Sequence, residues 1–235
     1  MLVTVHGISR NARAHVQAFA ALAERYGIAV VAPLFDHQNF PDYQRFRRKG
    51  RGIRSDHALA EILLDVAGRT PLRTDRFCIF GYSGGAQFAH RYAFANPERI
   101  TAMALGAAGW YTLPRQKDRF PHGLNSNPIM PDLDFDAEQI LQIPACVFVG
   151  ERDTERDHAL NRSARIDKHQ GKTRLCRARL WVRMMNRAAR HRGLATPILL
   201  DTLPRVGHSF SDSVANGKII ERVVCFLFGA ANLRR

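Results

Sequence analysis

The stretch FGYSGGAQ, from Phe80 to Gln87, sets a serine two positions after one glycine and two before another. That spacing has a steric reason. A residue held at positive φ on a tight turn tolerates only small neighbours near its backbone, so Gly81 and Gly85 would let a strand and a helix approach while the Ser83 side chain projects. A helix opening at Gly84 adds oriented N–H groups for a developing negative charge. The chemistry suggested is nucleophilic attack by Ser83, and it needs partners. A serine hydroxyl is a poor nucleophile until a base takes its proton, and the base must itself be oriented. With 17 glycines in the chain, the spacing arises by chance in about one of 25 such sequences, so its weight rests on context.

The order associated with such a turn is serine, then acid, then histidine. Downstream, the apolar run ACVFVG leads into ERDTERD, which offers Glu151, Asp153 and Asp157. Asp153 is the choice, because it lies three residues past Gly150 and can reach over the strand end. Glu151 sits too close to the strand, and Asp157 is expected to start the next helix. After the last apolar run comes RVGHSF, and of ten histidines only His208 lies just beyond the final strand and after the acid. Each alone reads as a structural or solvated residue. In order, each at the carboxyl end of its own strand, they read as a site, because chemistry in open α/β sheets collects at that edge.

The chain start, LVTVHGIS, supplies the rest. The loop after His6-Gly7 can offer the N–H of Ile8 to an oxyanion, with the N–H of Gly84 as second donor, and losing one such donor costs about 2.7 to 4 kcal/mol of transition-state stabilisation. His6 is read as a residue bracing that loop rather than as a base. Ser9, Arg10 and Asn11 either line the pocket or cap the helix. The expected pocket wall is Ile8, Tyr82, Trp110, Tyr111 and Phe210, with plain core as the alternative for the aromatics.

These residues need a parallel sheet to hold them. Short apolar runs at Leu2–His6, Ile28–Pro33, Phe77–Gly81, Ile100–Ala107, Ala145–Gly150 and Pro197–Leu203 alternate with helix-period segments. The pattern predicts an α/β fold, a mostly parallel central sheet of about six strands flanked by helices on both faces. Helices are expected over Asn11–Tyr26, from a Ser55 cap to about Gly68, over Gly84–Ala95, and over about Ser213–Phe228. The proline-rich segment Trp110–Ile143 breaks the alternation. Its many apolar residues favour a packed lid or pocket-wall insertion within a single domain spanning residues 1–235.

Composition narrows the classes. No apolar run approaches the ~18 to 20 residues of a membrane span, and MLVTVHG lacks the basic and long apolar regions of a secretory signal, so a cytoplasmic home is expected. Four scattered cysteines without CxxC or zinc-like spacing read as free, mostly buried thiols, and no motif calls for a metal or cofactor. The formal charge of +14 invites a nucleic-acid reading. Only five of the 35 basic residues are lysines, and that arginine bias weakens it. Two clusters stand out, Arg45–Arg54 and Arg174–Arg192. In the second, Arg179, Arg183, Arg187 and Arg190 recur at helical spacing, as a solvated face or, alternatively, an anion site.

VHGIS, GYSGGAQ, VGERD and RVGHSF, in this order and with these strands, resemble the α/β-hydrolase family over nearly the whole chain. The resemblance implies Ser83 as nucleophile, Asp153 as acid, His208 as base, and Ile8 and Gly84 as oxyanion donors. Family members commonly carry two strands before the His-Gly strand, which here begins at residue 2. It therefore implies either a minimal sheet in the family's order 4-3-5-6-7-8 or a shortened start. The leading expectation is a serine hydrolase of a small-molecule carboxylic ester. Thioester, peptide or polyester cleavage with arginines guiding an anionic substrate is the alternative, and a non-catalytic polyanion-binding protein is the non-enzymatic one.

Overall fold

The apolar runs become six strands, β1 (Leu2–Val5), β2 (Val30–Val31), β3 (Phe77–Tyr82), β4 (Ile100–Gly106), β5 (Ala145–Gly150) and β6 (Ile198–Leu203). They form one sheet in the order β2-β1-β3-β4-β5-β6, with every pairing parallel. This computed structural model describes residues 1–47, 52–195 and 198–229. Pro197 and residues 48–51 of the first arginine cluster lie outside the described residues. The strand order corresponds to the 4-3-5-6-7-8 order that the family resemblance implies.

Parallel strands covered on both faces have apolar residues at odd and even positions alike. Val3, Val5, Ile79, Met103, Leu105, Val147 and Val149 meet one core, and Leu2, Cys78, Phe80, Ala104, Cys146 and Phe148 meet the other. The helices are α1 (Ala12–Tyr26), α2 (Ser55–Arg69), α3 (Gly84–Ala95), α4 (Ala137–Gln142), α5 (Ala164–Gln170), α6 (Arg174–Arg190), α7 (Phe210–Ala215) and α8 (Ile219–Phe228). Residues of α2, α3, α4 and α6 build the first core, and Phe19 of α1 with Ile219, Val223 and Val224 of α8 the second. Gly27 ends α1 at φ 61°, its N–H turned back to Ala23 and Glu24.

Three helix expectations need correction. Ser55 does not cap α2; its hydroxyl donates to the carbonyls of Tyr43 and Phe46 at 2.9 and 3.3 Å, tying the 43–45 turn to the helix. Asp157 starts no helix but accepts from the N–H groups of Ala159 and Leu160, closing a turn, and α5 begins after the Ser163 cap. The last helix is two, broken between α7 and α8 where Lys218 takes φ 49°. Cys78 and Cys146 are buried while Cys176 and Cys225 are exposed, so only half of the thiols match the buried expectation.

The 110–143 segment packs inward. Tyr111, Phe120, Leu124, Met130, Leu133 and Phe135 are all buried in the first core, Phe120 stacked between Phe46 and Phe135. On α6, Arg179, Arg183, Arg187 and Arg190 are exposed, the solvated face of an amphipathic helix. No helix among the described residues is long and apolar enough to cross a membrane.

Candidate active site

At the carboxyl end of β3 the chain turns through Ser83, at φ 52° and ψ −110°, directly into α3. A non-glycine residue there costs of order 1–3 kcal/mol and persists only when its surroundings hold it. They do. The Ser83 N–H donates to the Gly106 carbonyl at 2.7 Å. A Cβ on Gly81 would collide with the Gly85 backbone, and one on Gly85 would collide with the Val5 carbonyl and lie 2.6 Å from that of His6. Strand, turn and helix are therefore in backbone contact, which only glycine permits.

Ser83 Oγ lies 3.2 Å from His208 Nε2, and His208 Nδ1 lies 2.8 Å from Asp153 Oδ2. His208 comes from the loop after β6 and is partly exposed, whereas the Asp153 side chain, just past β5, has no exposed surface. Gly150 permits this approach, since a Cβ there would lie 2.8 Å from the Gly207 carbonyl. Such a series can move the serine proton to the imidazole while the carboxylate keeps the ring in the required tautomer. Glu151 is committed elsewhere, accepting from the Arg205 N–H.

Asp153 has a second partner that inspection of the sequence missed. Arg174, 1% exposed at the start of α6, reaches Asp153 Oδ1 at 3.4 Å and grips Asp157 at 2.7 and 2.9 Å. The same guanidinium holds the Asp157 carboxyl down at about 2. Arg177, also buried, donates to the carbonyls of Gly109, Asn161 and Gly171 and pairs with Asp167. The signal available in the sequence was Asp157 closing the ERDTERD run and Asp167 standing alone among the basic residues from Arg162 to Lys172.

The N–H groups of Ile8 and Gly84 have no hydrogen-bond partner among the described residues. They flank Ser83, with Gly7 close enough that its Cβ would touch Ser83 Cβ at 3.6 Å. His6 braces this loop as expected. It is fully buried, Nδ1 donating to Gly7 O at 2.8 Å and Nε2 accepting from Phe35 N–H at 3.0 Å, and burial keeps it neutral by lowering its pKa. Tyr43 adds a hydroxyl donor to the His6 carbonyl at 2.7 Å.

The cavity at Ser83 has a volume of about 270 Å³. Ile8 and Trp110 line it, but the other expected wall residues do not. The Tyr82 hydroxyl bonds Ser213 Oγ at 2.9 Å and its ring lies against the His208 ring, so it supports the imidazole from behind. Tyr111 is core, its backbone bound on both sides by Gln170 and its ring stacked on Trp181. Phe210 stacks on His15 of α1, 4.1 Å between centroids. In their place stand Gln44, Arg45, Gln87 and Asn161, polar residues contributed by turns and by the first turn of α3.

No family model and no curated protein matches the chain. Solved structures do. A poly(aspartic acid) hydrolase-1 from Sphingomonas sp. KT-1 is 25% identical, with 94% of this chain and 87% of that one covered at a TM-score of 0.77. A poly(3-hydroxybutyrate) depolymerase from Bordetella parapertussis is 26% identical, covering 99% and 81% at 0.79. The chain has the α/β-hydrolase fold. An S-formylglutathione hydrolase from Agrobacterium tumefaciens, 15% identical over 96% of this chain and 83% of that one at 0.59, shares the fold. This α/β-hydrolase is thus an enzyme of the hydrolase kind, built on six parallel strands.

Proposed function

We propose that this α/β-hydrolase is a serine hydrolase that cleaves a carboxylic ester through an acyl-enzyme on Ser83. The supporting observation is the continuous series Ser83 Oγ, His208, Asp153 at 3.2 and 2.8 Å, with the serine held at positive φ on a glycine-packed turn. In the reaction the Ser83 oxygen attacks the acyl carbon as its proton passes to His208 Nε2. The carbonyl oxygen becomes an oxyanion facing the N–H groups of Ile8 and Gly84. Collapse expels the alcohol, which takes the proton from His208. Water then repeats the sequence on the acyl-enzyme, with His208 as base, and releases the acid. Asp153 keeps Nδ1 protonated and the ring aimed, and it stabilises the imidazolium formed in both halves.

A second reading within the same chemistry is cleavage of a repeating ester or amide. It is supported by the names of the two structures that share about a quarter of their residues with this chain, a poly(aspartic acid) hydrolase and a poly(3-hydroxybutyrate) depolymerase. Four free cysteines among the described residues fit a reducing, cytoplasmic compartment. The deciding experiment is treatment of folded protein with a fluorophosphonate probe followed by peptide mass analysis. A mass shift on the peptide carrying Ser83 is expected, and an unlabelled Ser83 rejects the nucleophile. Turnover of p-nitrophenyl acyl esters, acyl thioesters and aminoacyl amides then ranks the leaving groups.

A further inference from the structure

Arg91 is a buried cation without a carboxylate partner among the described residues. It is 0% exposed, one helical turn beyond Gln87 on α3. Its Nε donates to Thr112 Oγ1 at 3.1 Å and its Nη1 to the Gln44 carbonyl at 2.6 Å, while Nη2 has no partner among the described residues. The guanidinium lies 4.2 Å from the centre of the Trp110 ring. Gln44, Gln87 and Trp110 all line the Ser83 cavity, so the charge stands directly behind its wall. Arg45 lines the same cavity, paired with Asp42 at 2.5 Å. Two guanidinium groups therefore share one carboxylate, and one positive charge is left over. An arginine does not shed its proton in proteins, and a buried charge left without a counter-ion is strongly unfavourable. The Trp110 face offsets part of that.

The cavity also fits a short polar group better than an alkyl chain. Its volume is about 270 Å³, and most of its lining residues are polar or charged. A hydrocarbon chain would strip water from Gln44, Arg45, Gln87 and Asn161 and offer no hydrogen bond in return. Gln44 Oε1 is itself buried without a partner among the described residues, and a half-turn of the amide presents its NH₂ instead.

Building on Ser83 as the nucleophile, we infer that the substrate carries an anionic group, a carboxylate on its acyl part, which lodges in this cavity beside Arg45 and over Arg91. The acyl part is short, and its charge supplies the counter-ion that Arg91 lacks.

The test compares p-nitrophenyl hemiglutarate with p-nitrophenyl pentanoate, which has the same acyl length and no charge, in low salt. A charge-assisted hydrogen bond is worth roughly a factor of ten or more. The kcat/KM ratio is thus expected to favour hemiglutarate about tenfold or more and to fall toward one in Arg45→Gln and Arg91→Met. Should Arg91→Met fail to fold, Arg45→Gln and the salt dependence of the ratio carry the comparison. A wild-type ratio at or below one, with Ser83 labelled by fluorophosphonate, overturns the anionic substrate and leaves the hydrolase reading intact. If Ser83 is not labelled and neither ester turns over, the hydrolase reading fails and calorimetric titration of glutarate against pentanamide decides the anion site. Preferential glutarate binding lost in Arg45→Gln supports the site, and no preference rejects it.

Discussion

Replacing Arg174 with methionine removes the one arginine among the described residues that pairs with both Asp153 and Asp157. Asp153 is then left fully buried with His208 as its only side-chain partner among the described residues. Breaking a buried ion pair by deleting one partner costs about 3–5 kcal/mol. Asp157, 27% exposed, gives a second figure. Its carboxyl sits at about 2 against an ordinary 3.8, held down by the Arg174 hydrogen bonds. At about 1.36 kcal/mol per unit, that coupling amounts to about 2 kcal/mol. The expected loss is therefore about 2–5 kcal/mol at pH 7. For a chain of this size each kcal/mol lowers Tm by about 2–4 °C, which gives a fall of roughly 4 to 20 °C. Because the folded pKa is the lower one, the stabilisation is complete above pH 3.8 and disappears as pH falls toward 2. Urea unfolding of both proteins at pH 7, 5, 4 and 3 should show the gap narrowing only in the last interval. Turnover should fall mainly in kcat, with partial recovery in Arg174→Lys, which restores charge without the bidentate fork. A loss below about 1 kcal/mol, or a gap identical at pH 7 and 3, would refute the assignment of this ion pair as a support for Asp153.

Ser83→Ala should reduce ester turnover by roughly 10⁶-fold, and Asp153→Asn by roughly 10⁴-fold, with far-UV circular dichroism unchanged. Residual turnover within tenfold of wild type would put the nucleophile elsewhere. Gly85→Ala forces a methyl against the Val5 and His6 carbonyls, so the urea midpoint should drop by the equivalent of about 3 kcal/mol. Gly68→Ala, in α2 with nothing within 4 Å, should gain up to about 1 kcal/mol and serves as the control. His15 is fully buried against Thr4 Oγ1, and burial lowers its pKa to about 3. The unfolded chain takes up a proton below pH 6.5 that the fold refuses, so between pH 6.5 and 5 His15 should cost about 2 kcal/mol of stability. The same urea series on His15→Gln should be flatter by that amount.

The sheet was legible because each strand is buried on both faces and so reads as an unbroken apolar run. Ser83, Asp153 and His208 were legible for a related reason, since each stands a fixed few residues beyond such a run. The cavity walls were not. Gln44, Arg45 and Asn161 sit on turns whose positions depend on tertiary packing, and no local period marks them. Aromatic side chains misled in the opposite sense, because Tyr111 and Phe210 satisfy the core rather than the pocket. Arg174 and Arg177 looked like more of the solvated α6 face. Their burial follows from Asp157 and Asp167, brought near from outside that helix.

The chain leaves β1 toward β2 on one side and passes from β3 toward β6 on the other, so the loops after β1 and β3 part company at the sheet edge. A crevice opens there by topology alone. Ser83, Asp153 and His208 stand beyond strand ends, while Asp42, Gln44, Arg45 and residues 158–161 line it from segments outside the sheet. Substrate range and chemical competence are therefore inherited on different parts of the chain. Exchanging the two wall segments would change what enters the crevice while the strand ends stay in register, which gives this small sheet room to acquire new substrates by loop replacement.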